Sequence, residues 1–354
     1  MQFKIKRDLL LKSLTFVQGV IEKKNTLPIL SNVLLKASHG KLQITATDLD
    51  IIFNDEISDI QILKEGVTTT SANVLYDILR KIPSNSELDF HLKSENKLSL
   101  KAQNSDFNLL CLPSTNFPSF DDNFQSSEIE IDNKKFLSLL NKTKISISND
   151  DTRHYLNGIF LHLTKFKDKN YLTGVATDSH RLSSSSIEIN SSSDFSSIIL
   201  PRKTAFQLCN LLAENPNKLV ISLSENKIKF QIGKIILTSK VIDGKFPDYQ
   251  KVIPKDNDKS LLVPLNDFIS SVERVVSVSI DRKEGVKLDI HKGKLNLSVN
   301  STNSGDGNEV IPAKYDYEEI TIGFNSKYLL DIASVIESKN IQLKFKNSTS
   351  PVLI

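Results

Sequence analysis

The chain has 354 residues, 39% hydrophobic and 25% charged, a balance that fits a soluble globular protein with room for two or three domains. Its 45 Lys and Arg against 42 Asp and Glu leave a formal charge of +3, far less than expected of a domain that grips nucleic acid by charge alone. No apolar run approaches the ~18 residues of a membrane span, and residues 1–8 alternate charged and apolar groups, which excludes a secretory signal. Cys111 and Cys209 show no pairing pattern and sit among apolar neighbours, so buried free thiols in a reducing cytoplasm are expected.

Along the chain, Phe3 and Ile5 alternate as a strand, and Leu9-Leu10-Leu11, Leu14 and Val17 then take helical spacing. Leu34-Leu35, a turn at His39-Gly40 and Lys41-Leu42-Gln43-Ile44-Thr45 read as a hairpin. A second helix starts at Ser71, a good N-cap, and runs through Val74-Leu75-Tyr76-Asp77-Ile78-Leu79. The turn Ser94-Glu95-Asn96-Lys97 leads to strands over 98–102 and 107–112 and a linker over 113–125 that holds Phe117-Pro118-Ser119-Phe120.

The same order then recurs. Ile129 and Ile131 precede a helix with Phe136-Leu137 and Leu140; strands follow at Ile159-Phe160-Leu161-His162-Leu163 and Tyr171-Leu172-Thr173-Gly174-Val175-Ala176. The serine-rich tract 183–197 reads as a polar strand and loop rather than a regulatory segment. A helix starts at Pro201, where a missing N–H costs nothing, and carries Thr204-Ala205-Phe206-Gln207-Leu208-Cys209. Ser224-Glu225-Asn226-Lys227 repeats the earlier turn verbatim, before strands over 228–232 and 235–242 and a linker with Phe246-Pro247-Asp248-Tyr249.

A third pass begins with Leu261 and Val263, then Phe268-Ile269, Val272 and Val275-Val276. A hairpin spans 286–298 with its turn at His291-Lys292-Gly293, and Asn325 starts the helix Tyr328-Leu329-Leu330-Asp331-Ile332-Ala333. One strand follows over 341–345. The first two passes continue for a further pair of strands, so the third repeat is expected to be truncated by roughly 20 residues. Gly305-Asp306-Gly307 reads as a loop. A period of about 130 residues is too long for a solenoid unit and is the length of a small domain.

Catalytic signatures are lacking. The histidines at 39, 91, 154, 162, 180 and 291 form no i, i+4 metal pair and join no cysteine cluster. Asp48 and Asp50 look like part of a magnesium motif, but two acids at a strand end are common. Ser94 with Lys97 and Ser224 with Lys227 match serine–lysine acylase spacing, yet they recur as hairpin turns without the companion motifs. No catalytic residue, metal or cofactor is expected.

Thr26-Leu27-Pro28-Ile29-Leu30, Tyr155-Leu156-Asn157-Gly158, Ala176-Thr177-Asp178-Ser179-His180-Arg181-Leu182, Phe246-Pro247-Asp248-Tyr249 and Gly323-Phe324-Asn325 lie in order across the three repeats. Together they resemble the bacterial DNA polymerase III beta subunit family, the sliding clamps. The resemblance implies an α+β fold of three tandem clamp domains, here 1–122, 128–250 and 259–354, each with two helices and two four-stranded antiparallel sheets. Two chains would join head to tail in a ring with helices lining the hole and double-stranded DNA passing through. A ring cannot leave a duplex sideways, so weak, salt-dependent phosphate contact suffices, and near-neutral charge fits a device that must slide.

The family's functional residues map as follows by resemblance. Lys24, Arg80, Arg202 and Lys203 are candidates for the inner wall, with a solvated basic face as the alternative for each. His154 and Tyr155 fall where the family contacts DNA, often with an aromatic pair. A peptide pocket near the junction of domains two and three would use Leu156, Thr177, Ser179, His180, Arg181, Leu182, Pro247, Val252, Asn325 and Tyr328, with Thr349 and Pro351 at its rim. An apolar slot of this kind takes Leu or Phe anchors while polar groups orient the peptide backbone. Ser179 stands where a glycine is frequent. Read without the family, Leu156 and Val252 would be core residues. Phe107 and Leu109 of one chain would meet Val276 and Val278 of the other. Implied partners are a second copy, double-stranded DNA, the polymerase catalytic subunit, the clamp loader, other polymerases and repair proteins, in a bacterial cytoplasm at the nucleoid. A module that grips DNA without encircling it, a hydrolase or transferase, and a scaffold unrelated to DNA are the competing readings.

Overall fold

The structure, a computed structural model, describes residues 1–22, 27–119, 124, 128–189, 195–279 and 285–354. They form two compact units, Met1–Gly244 and Lys245–Ile354. Repeat one contains β1 (Gln2–Lys6), α1 (Arg7–Val17), β2 (Asn32–Ser38), β3 (Lys41–Thr47), β4 (Ile51–Ile57), β5 (Ile60–Lys64), β6 (Gly66–Ser71), α2 (Ala72–Lys81), β7 (Glu87–Ser94), β8 (Lys97–Ala102) and β9 (Ser105–Leu110). Repeat two contains β10 (Ile129–Ile131), α3 (Asn133–Lys144), β11 (Gly158–Phe166), β12 (Lys169–Thr177), β13 (Leu182–Ile189), β14 (Ile198–Pro201), α4 (Arg202–Glu214), β15 (Leu219–Leu223), β16 (Lys227–Ile232) and β17 (Ile235–Lys240). The second unit contains β18 (Lys259–Pro264), α5 (Leu265–Val276), β19 (Gly285–His291), β20 (Lys294–Ser301), β21 (Gly305–Pro312), β22 (Ile320–Asn325), α6 (Ser326–Ala333) and β23 (Asn340–Phe345).

The helix starts follow their capping chemistry. Ser71 accepts from the Val74 amide and Asn325 from the Tyr328 amide, while α4 follows Pro201 without a side-chain cap. Within each repeat the two helices pack on each other. Leu10, Leu14 and Val17 of α1 and Leu75 and Leu79 of α2 are buried with Phe3, Phe53 and Phe90 in a core that runs through both repeats of the first unit. The rings of Phe3 and Phe90 stack at 4.8 Å. The second unit closes its own core around Phe268, Leu297 and Phe345. Cys111 and Cys209 are buried free thiols, and loss of hydration pushes both above the ordinary thiol range, which keeps them protonated and unreactive.

The sheets depart from the expectation of two separate four-stranded sheets per repeat. Repeat one adds the edge strand β5 to give the order β5-β1-β7-β8-β9, and repeat two has β13-β12-β11-β14. The remaining strands of both repeats merge into one eight-stranded sheet, β10-β15-β16-β17-β4-β3-β2-β6. The merger is the antiparallel pairing of β17 with β4, from Ile236 opposite Asn54 to Ser239 opposite Ile51. Each strand would otherwise end a sheet with unsatisfied backbone groups, and the pairing removes both edges. The second unit has a four-stranded sheet, β21-β20-β19-β22, and a two-stranded one, β18-β23.

Gly305-Asp306-Gly307 is not a loop. It begins β21, with Gly307 opposite Val299. A Cβ on Gly307 would stand 3.1 Å from Val275 O and 3.4 Å from Val278 Cγ1, so the glycine lets β21 lie close to the end of α5.

Candidate nucleic-acid and peptide interface

Repeats one and two build the same turn after their second hairpin strand. In repeat one, Thr47 Oγ1 donates to Ile51 O at 2.8 Å and accepts from Leu49 N at 2.9 Å, while Asp48 Oδ1 accepts from Asp50 N at 2.9 Å and Ile51 N at 2.7 Å. In repeat two, Thr177 Oγ1 donates to Arg181 O at 2.8 Å and accepts from Ser179 N at 3.2 Å, while Asp178 Oδ1 accepts from His180 N and Arg181 N at 3.0 Å each. The third residue is left-handed in both turns, with φ +80° at Leu49 and +76° at Ser179. Thr-Asp is therefore turn chemistry, its side chains replacing backbone acceptors. The other carboxylate oxygens differ in use: Arg181 Nε meets Asp178 Oδ2 at 3.1 Å, and Lys203 Nζ meets Asp48 Oδ2 at 2.5 Å. Among the described residues no group of three or more His, Cys, Asp and Glu could hold a metal ion.

That last contact changes the reading of Lys203. Its amino group also donates to Val20 O at 2.7 Å and lies 3.5 Å from Glu22 Oε1. Lys203 thus pins the start of α4 to the end of α1 and to the repeat-one turn, and its charge is committed inside the unit. Gln207 adds to this joint, donating from Nε2 to Phe16 O at 2.7 Å. The carbonyls just past a helix end need such partners.

Arg202 and Arg80 are held differently. The Arg202 guanidinium lies 5.1 Å from the Phe206 ring centroid, and Lys144 Nζ lies 5.4 Å from the same centroid. Arg80 lies 5.5 Å from the Tyr76 centroid. Aromatic faces steady these cations, and Lys144 also donates to Asn141 Oδ1 at 2.7 Å. Lys24 lies outside the described residues.

His154 and Tyr155 sit on a 3-10 turn, Asp151–Leu156. Their rings meet edge to face, with centroids 5.8 Å apart. Leu156 closes the turn as a buried residue, and Leu182 is half-buried at the start of β13. Sequence reasoning missed Arg153, which bonds Asp150 Oδ2 through Nε at 2.9 Å and Ser179 Oγ through Nη1 at 2.5 Å. The i, i+3 spacing of Asp150 and Arg153 was the available signal.

In the second unit Pro247 is exposed. Val252 is 62% exposed, which corrects its reading as a core residue: it caps the short 3-10 turn Tyr249–Lys251 rather than lying in a strand. Asn325 spends its side-chain oxygen on the Tyr328 amide at 3.3 Å. Thr349 donates from N and Oγ1 to Asn347 Oδ1 at 3.0 and 3.1 Å, and Pro351 O accepts from Asn257 Nδ2 at 3.0 Å.

Two of the residues expected at a dimer contact turn inward. Leu109 is 6% exposed and Val276 4%, each sealed in its own core, while Phe107 and Val278 are half-buried. Strand alternation explains Leu109, because its face of β9 lies on the core. The outward apolar residues are Leu110, 83% exposed, and Val310 of β21, 56% exposed. Both β9 and β21 end their sheets.

Three family profiles match this chain: the DNA polymerase III beta subunit N-terminal domain over residues 1–121, the central domain over 130–248 and the C-terminal domain over 250–354. The beta sliding clamp of Caulobacter vibrioides is 37% identical over 356 residues, covering 100% of this chain and 95% of the relative. That of Escherichia coli K12 is 33% identical over 354 residues, with the same coverage of 100% and 95%. Among solved structures, a sliding clamp from Bartonella birtlesii bound to griselimycin superposes with a TM-score of 0.94 at 40% identity, covering 99% of this chain and 94% of that one. A Caulobacter crescentus beta sliding clamp gives 0.93 at 38% identity, covering 100% and 94%. With all three profiles matched in order, the chain belongs to the DNA polymerase III beta subunit family, the bacterial sliding clamps and processivity factors of DNA polymerase.

Proposed function

We propose that two copies of this chain close head to tail around double-stranded DNA and tether the replicative polymerase, the clamp loader and other polymerases or repair proteins through their short apolar peptides. The observation that carries this reading is the joint between repeats one and two. There β17 and β4 pair edge to edge, while β9 and β21, the strands at the corresponding places, end their sheets among the described residues with an apolar side chain exposed on each. A second copy would satisfy both edges by the same pairing.

Clamp domains are assigned to 1–122, 128–250 and 259–354. Arg80 and Arg202 serve as phosphate contacts, and His154 and Tyr155 as a further duplex contact. Leu156, Thr177, Ser179, His180, Arg181 and Leu182 in the first unit, with Pro247, Val252, Asn325, Tyr328, Thr349 and Pro351 in the second, are assigned to peptide recognition. The chain works by enclosure, without catalysis, cofactor or metal, and in the cytoplasm where the nucleoid lies. No described helix is long and apolar enough to cross a membrane.

The test is topological. A clamp loaded by its cognate loader on a nicked circular plasmid should stay bound in high salt, where phosphate contacts fail. It should run off once the plasmid is cut. Equal loss from circle and line would favour a module that grips DNA without surrounding it.

A further inference from the structure

Two residues of unusual backbone in the candidate interface are bonded to each other. Arg153 breaks the 3-10 turn Asp151–Leu156 at φ −114°, ψ 59°, and Ser179 is left-handed at φ +76°. Arg153 Nη1 donates to Ser179 Oγ at 2.5 Å. A neighbouring tie joins Ser146 Oγ and Ser183 Oγ at 2.6 Å. The segment bearing His154 and Tyr155 is thereby fastened to the turn bearing His180 and Arg181, and one of the two fasteners is a cation.

Repeat one has the same Thr-Asp turn without this fastener. Asn32 and Gly158 oppose the helix-leading residues Ser71 and Pro201 in the same register. Counting back five residues from each places Leu27 where repeat two has Arg153. The shared turn places Leu49 where repeat two has Ser179. Neither leucine side chain can donate or accept a hydrogen bond. The polar bond of the repeat that carries both His154–Tyr155 and Leu156–Leu182 thus has no counterpart in repeat one.

We propose, building on the clamp reading above, that the Arg153–Ser179 hydrogen bond is a latch coupling duplex contact to peptide docking, with Ser179 as a positioning residue. The guanidinium is what differs between the two states. Arg153 keeps Nε on Asp150 Oδ2 at 2.9 Å, so a phosphate of the duplex competes only with the neutral Ser179 hydroxyl for Nη1, and the charge-assisted pair wins. Ser179 then loses its tie to the segment bearing His154 and Tyr155, and the turn that aims His180 and Arg181 at a peptide, still closed by Thr177 and Asp178, is free to shift. Linkage requires the reverse as well: a bound peptide that needs the latched turn weakens duplex contact by the same factor.

Anisotropy of a labelled apolar peptide carrying Leu and Phe, measured on the full chain with and without a short linear duplex at low salt, reads the coupling. The duplex should weaken peptide binding by about threefold or more. Ser179→Gly keeps the turn, because glycine takes this φ without strain, but removes the latch. Its peptide affinity without DNA should fall by about the same threefold or more that the duplex causes in the parent, and the duplex should have no further effect on it. Ser179→Ala also lacks the bond and should show the same weakening without DNA and the same loss of the duplex effect. An undiminished duplex effect in Ser179→Gly overturns the latch. So does a parent chain that binds both ligands independently. A parent chain that binds no such peptide sinks the clamp reading itself, and the latch with it.

Discussion

Asp55 on β4 shows how one side chain sets a pH dependence. It is half-buried, and loss of hydration pushes its carboxyl above the ordinary carboxylate range, partly offset by the Glu56 amide at 2.8 Å and by the charges of Lys12 and Lys234. A raised folded-state pKa means that the folded chain holds this proton more tightly than the unfolded one. The group's contribution is therefore favourable below the ordinary Asp value of 3.8 and is lost as pH rises from there through the folded value. At neutral pH the ionised Asp55 is a liability. Asp55→Asn should raise the melting temperature of the first unit at pH 7 by a few degrees, since ~1 kcal/mol moves it by roughly 2–4 °C at this size. The gain should shrink at pH 4. Thermal unfolding at the two pH values checks it, and an equal gain at both would show that hydration of the carboxyl is not the cause. Sequence alone placed Asp55 in no role, because its burial comes from the surrounding elements and not from its neighbours in the chain.

Among elements, the start of α4 separates two basic residues that are adjacent in sequence and alike in composition. Lys203 bonds Asp48, Val20 and Glu22 inside the first unit, whereas Arg202 lies over the Phe206 ring. Asp48 is almost fully enclosed, with 7% side-chain exposure, so removing its partner strands a carboxylate. Lys203→Ala should cost about 1–3 kcal/mol of stability, discounted toward the lower end by the lysine's own exposure. Arg202→Ala should cost under about 1 kcal/mol. Denaturant titration of both variants without DNA measures this difference, and equal losses would mean that the joint is not held by Lys203. The helix starts at Ser71, Pro201 and Asn325 were all legible in the sequence, since caps and proline act locally. The use of Lys203 was not, because its partners lie far back in the chain.

At the scale of the whole molecule, the internal joint supplies a template for the assembly. Lys97 and Lys227 follow the same Ser-Glu-Asn sequence, which equates β9 with β17. Leu42 opposite Ile57 and Leu295 opposite Ile311 equate β4 with β21. Within the chain, Thr238 faces Ile52 and Leu237 faces Phe53. Transferred to two copies, Asn108 faces Asp306 and Phe107 faces Gly307. Paired strands hold opposite Cα atoms about 4.5–5.5 Å apart, which suits a disulfide. Asn108→Cys with Asp306→Cys should therefore cross-link dimers under mild oxidation, while Cys111 and Cys209 stay buried. Preferential cross-linking of Asn108→Cys with Asn308→Cys would show a shifted register, and a monomeric mass by light scattering would show that the edges do not meet.

By itself the sequence determined the threefold repeat, the helix starts, several of the hairpins, the buried cysteines and the family. These follow from periodicity and local chemistry, which neighbouring residues carry between them. Only the tertiary structure decided that β17 and β4 fuse two repeats into one sheet, that Gly305–Pro312 is a strand, that Leu109 and Val276 face their own cores, and that Arg153 bonds Ser179. Each of these depends on which backbone edge or side chain is left without a partner once the elements are packed, and that is settled by residues far apart in the chain.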